Sequence, residues 1–63
     1  SSLLMEVMLR VYDLLSAEGV GIHDLAMSPI RGHKGNVEFL ALLKRGTGMD
    51  KELYKHRIHL FLG

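Results

Sequence analysis

Across residues 2–18, Glu6, Arg10, Asp13 and Ala17 fall on one stripe at steps of four, three and four, while Leu4, Val7, Met8, Val11, Leu14 and Leu15 fill the rest. That spacing predicts a helix. Ser1 or Ser2 is placed to serve as its N-cap, and Glu6 and Arg10 stand at i,i+4 as a favourable pair. Gly19 occupies the position where a C′ glycine ends a helix. Leu3, Leu4, Met5, Val7, Met8 and Leu9 are nearly consecutive, so the apolar face is wide and expects cover on more than one side.

Residues 20–30 read as a strand whose alternation is blurred by Gly21, His23 and Asp24, and Pro29 favours a strand end there. The next stretch supplies Pro29, Gly32, Gly35 and Asn36, the residue types that turns and irregular loops require. From residue 36 to 44 a second strand would put Val37, Phe39, Ala41 and Leu43 on one face and Glu38, Leu40, Leu42 and Lys44 on the other. Both faces are largely apolar, as in a strand covered on both sides, while the run Leu40 to Leu43 leaves helix as the alternative. Gly46 and Gly48 break the pattern, after which Asp50 caps an expected helix through Leu62 with Leu53, Tyr54, Ile58, Phe61 and Leu62 as its apolar face. The order helix, strand, loop, strand, helix predicts an α/β fragment, α+β in isolation, with the two strands antiparallel.

Size sharpens this picture. A chain of 63 residues holds at most one small core, and its independent stability is marginal. There is no cysteine, which removes disulfides and cysteine-ligated zinc and is compatible with a reducing, cytoplasmic setting. At 48% hydrophobic and 24% charged the composition is that of a folding domain. No apolar run is long enough to span a bilayer, and neither amphipathic stretch has the strongly cationic polar face of a membrane-active helix, so no membrane partner is expected. A net charge of +1 does not mark a nucleic-acid binder, so any such reading must rest on where charges cluster.

The most specific signal is the run Ser28-Pro29-Ile30-Arg31-Gly32-His33-Lys34-Gly35-Asn36-Val37-Glu38-Phe39-Leu40. It resembles a block near the C-terminus of TlyA/FtsJ-like (hemolysin A family) methyltransferases: Ser-Pro-Ile, a basic residue, Gly, two variable residues, then Gly-Asn-Ile/Val-Glu-Phe/Tyr-Leu. The preceding helix and strand sit at the family's spacing, so the resemblance covers about Leu3 to Arg45, and residues 1–45 are read as the end of a Rossmann-like methyltransferase domain. Residues 46–63 are left as a helical C-terminal extension. The resemblance implies an S-adenosylmethionine-dependent 2′-O-ribose methyltransferase of ribosomal RNA with a Lys-Asp-Lys-Glu catalytic set, in which Glu38 matches the glutamate. The other three members and the cofactor-binding loop are expected upstream of Ser1, so no catalysis is expected of the 63 residues alone.

A ribose 2′-hydroxyl is a poor nucleophile until a base takes its proton, and a lysine doing so must be held in place by neighbouring charges. Glu38 is the expected orienting group. Arg31, His33 and Lys34 are the candidate RNA-binding residues, placed on a loop where they can meet phosphates.

Other readings weigh against these. A strand glutamate is more often solvated or paired than catalytic, and paired glycines are more often turn chemistry than a phosphate cradle. Gly32-His33-Lys34-Gly35 is also a literal Gly-x-x-Gly, the loop with which KH domains clamp nucleic-acid backbone, although Glu38 stands where a KH helix needs an apolar residue. A small module that self-associates through exposed apolar helix faces is the third alternative. His56 and His59 lie at i,i+3 with no further obvious metal ligand, and Met5, Met8, Met27 and Met49 read as core filler.

Overall fold

The computed structural model describes residues 2–28 and 38–62. It is a small α+β arrangement in the order α1 (Ser2–Ala17), β1 (Val20–Met27), β2 (Phe39–Arg45) and α2 (Lys51–Leu62), with the strands in one antiparallel sheet. Helix α1 ends as its sequence dictates: the Gly19 N–H donates to the Ser16 carbonyl at 3.0 Å, and Gly19 takes φ 74°, open to glycine without steric cost. Helix α2 begins at the expected cap, where Asp50 Oδ1 accepts from the Leu53 N–H at 2.8 Å.

Ile22, Leu25, Tyr54 and Ile58 are buried and form the centre of the core, with Met5, Met8, Leu9, Tyr12, Leu15, Phe39, Met49 and Phe61 packed around them. In an uninterrupted strand, Ile22 and Leu25 would point to opposite faces. The register shifts between Ile22 and Asp24, leaving His23 as an extra residue, and this bulge turns both apolar side chains into the core. The blurred alternation within Val20–Met27 has that origin.

Two tyrosines tie α1 to the C-terminal half. Tyr12 donates its hydroxyl hydrogen to the Met49 carbonyl at 2.8 Å, and Tyr54 donates to the Met8 carbonyl at 2.6 Å. Their rings meet at 5.0 Å, tilted by 46°. The segment between β2 and α2 crosses β1 closely: a methyl group on Gly21 or Gly48 would collide with backbone atoms of the other segment. The Met49 N–H donates to the Ile22 carbonyl at 2.8 Å at this crossing.

Several expectations change. The core-facing stripe of α1 is Met5, Met8, Leu9, Tyr12 and Leu15, while Leu3, Val7, Val11 and Leu14 remain exposed. Glu6 and Arg10 do not pair; the ion pairs among the described residues include Lys51–Asp13 at 2.7 Å and Arg57–Asp24 at 2.9 Å, each joining α2 to an earlier element. Strand β2 is strand rather than helix, yet it is not covered on both faces, since every residue after Phe39 is exposed. The helices lie over β1, and Phe39 reaches the helical layer with its ring 6.1 Å from that of Phe61.

Candidate functional site

Glu38 immediately precedes β2, and its carbonyl accepts from the Ser28 N–H at 2.7 Å, so the two residues close the ladder where the chain leaves β1 and returns. The Ser28–Leu40 block therefore spans the hairpin connection. Because side chains alternate along a strand and Phe39 reaches the helices, Glu38 lies on the opposite sheet face with Leu40 and Leu42, where it is exposed. The residues expected to meet RNA, Arg31, His33 and Lys34, lie outside the described residues, as do Gly32, Gly35 and Asn36.

A charged cluster that sequence patterning does not reveal sits on the outer edge of β1. Asp24 Oδ1 accepts from Arg57 Nη2 at 2.9 Å and from the Leu25 N–H at 2.8 Å, and Arg57 Nη2 also donates to the Leu25 carbonyl at 2.7 Å. The Arg57 guanidinium and the Leu25 N–H hold the Asp24 carboxyl below its ordinary value of 3.8. Arg57 also lies 6.0 Å from the Phe61 ring centroid. The carboxylate is exposed and the guanidinium half-buried, and together they close the strand edge. No local spacing signals it, because Asp24 and Arg57 are 33 positions apart.

A cleft of about 240 Å³ lies between the start of β1 and the glycine-rich segment, lined by Ser16, Gly21, Thr47 and Gly48 among others. It carries no charged side chain, and the Tyr12 hydroxyl at its wall is committed to Met49. It lacks a carboxylate for the ribose hydroxyls of S-adenosylmethionine and a cation for its carboxylate, so these residues do not fit that cofactor. His56 and His59 are exposed, and no three potential metal-binding side chains gather among the described residues. No described helix is long and apolar enough to cross a membrane. No family model matches the sequence, and neither a curated protein nor a solved structure does so.

Proposed function

We propose that the chain is the C-terminal part of a Rossmann-like, S-adenosylmethionine-dependent methyltransferase that modifies ribose 2′-hydroxyls of ribosomal RNA in the cytoplasm. The Ser28–Leu40 block carries this reading: it resembles the family's block in type at all but its two variable positions, and Glu38 stands where the family has its catalytic glutamate. Two features support it. Glu38 stands solvent-exposed beside the hairpin connection, where an approaching lysine can reach it. Leu3, Val7, Val11 and Leu14 on α1, with Leu40 and Leu42 on the sheet, form apolar surfaces of the kind that a larger domain covers.

In this reading Glu38 does not take the ribose proton. It holds in position a lysine supplied by the preceding chain, whose uncharged amine takes that proton, and Arg31, His33 and Lys34 engage phosphates near the target. Residues outside this segment bind the cofactor.

The test is methyl transfer to ribosomal RNA by the natural protein. Glu38→Ala is expected to lower kcat at least about 100-fold with RNA affinity nearly unchanged, whereas reversing charge at Arg31 and Lys34 weakens RNA binding. Full activity of the Glu38→Ala protein, or unchanged RNA binding by the charge-reversed one, contradicts the corresponding assignment.

A further inference from the structure

The two edges of the sheet are treated differently. On β1 the outward Ile22 carbonyl is taken by the Met49 N–H, and the Leu25 N–H and carbonyl are taken by Asp24 and Arg57. That edge is closed to another strand. On β2, Glu38 and Gly46 both bond toward β1, through Ser28 and Gly19 respectively. Alternation along an antiparallel ladder then directs the backbone groups of Leu40, Leu42 and Lys44 inward as well, and those of Phe39, Ala41, Leu43 and Arg45 outward. These outward groups have no partner among the described residues. The open edge carries exposed Leu40 (62%), Leu42 (53%) and Leu43 (44%), bounded by Glu38 at one end and Lys44 and Arg45 at the other.

We infer that this edge pairs with the same edge of a second copy of the chain, antiparallel about a two-fold axis at Ala41, to give one continuous four-stranded sheet. Charge and hydrogen-bond parity select the same register. Outward-bonding residues must face one another, and centring on Ala41 sets Phe39 opposite the partner's Leu43 as a hydrogen-bonded pair. The same register sets Glu38 opposite the partner's Lys44, and Leu40 opposite the partner's Leu42, in the non-hydrogen-bonded positions where side chains approach most closely. Symmetry repeats each contact. Neither Glu38 nor Lys44 has an ion-pair partner among the described residues, so both are available. A register shifted by two residues keeps the backbone bonds but separates these charges. This inference does not rest on the methyltransferase reading; where the chain continues into a larger sheet, a strand of that sheet competes for the same edge.

Sedimentation equilibrium of the 63-residue chain provides the test. A reversible dimer is expected, weakened by added salt. Glu38→Lys and Lys44→Glu should each raise its Kd about tenfold or more by setting like charges opposite one another, and the double exchange should return it to within about threefold of the parent. Ala41→Pro removes an outward N–H without touching the β1 ladder and should abolish the dimer, with circular dichroism checking that the fold persists. A monomer throughout the accessible concentration range overturns the inference. So does a dimer indifferent to these exchanges, or one in which the two single effects merely add.

Discussion

Tyr54 shows how few side chains hold this molecule together. It is fully buried, packs with Ile22, Leu25 and Ile58, meets the Tyr12 ring at a tilt and donates to the Met8 carbonyl, so one ring joins α1, β1 and α2. Burial raises its hydroxyl pKa above the ordinary 10.0, because the phenolate would be desolvated, and ionisation would also remove the hydrogen donated to Met8. The Asp13 carboxylate likewise raises Lys51 above 10.5. Both groups favour their protonated forms in the fold, so their contributions are complete below those ordinary values and are lost as pH rises through the folded values. Asp24 acts in the opposite sense: its lowered pKa supports folding above 3.8 and is lost as pH falls. Thermal melts should therefore show stability falling from about pH 10 upward, less steeply for Tyr54→Phe, which itself costs about 1 kcal/mol at neutral pH. A Tyr54→Phe protein with the parent's alkaline profile contradicts this assignment.

At the scale of elements, all four are legible in the polar pattern, and both helix ends follow from Gly19 and Asp50. What the pattern cannot supply is contact between distant segments. Period-two reasoning fails at His23, where a bulge brings Ile22 and Leu25 to one face, and it passes over Arg57, whose partners lie across the fold. Gly46 and Gly48 register in sequence only as a break, yet the crossing of β1 depends on the pair Gly21 and Gly48. Gly21→Ala and Gly48→Ala should each cost about 2 kcal/mol or more in denaturant titrations, because backbone cannot yield as a flexible side chain does. Gly19→Ala should cost only about 1 kcal/mol: it places a side chain at positive φ but meets open space. Equal effects at Gly19 and Gly21 would argue against a close crossing.

For the whole molecule, a core centred on Ile22, Leu25, Tyr54 and Ile58 coexists with a long apolar stripe on α1 and an open, leucine-rich edge on β2. Under the proposed function such surface contacts the remainder of a larger domain, and under the inferred edge pairing the β2 edge contacts a second copy. The family resemblance supplies the first answer; the chain's own edge chemistry supplies the second. Of the candidate site, the sequence places Glu38 within a strand over 36–44; the fold begins β2 at Phe39 and adds the exposure of Glu38 and its position beside the hairpin connection. The most direct measurement is a map of 2′-O-methylated nucleotides in ribosomal RNA from cells expressing the natural protein, compared with cells expressing its Glu38→Ala form. At least one modified ribose is expected to lose its methyl group in the variant while the protein's abundance is unchanged; identical methylation maps would contradict the proposed role of Glu38.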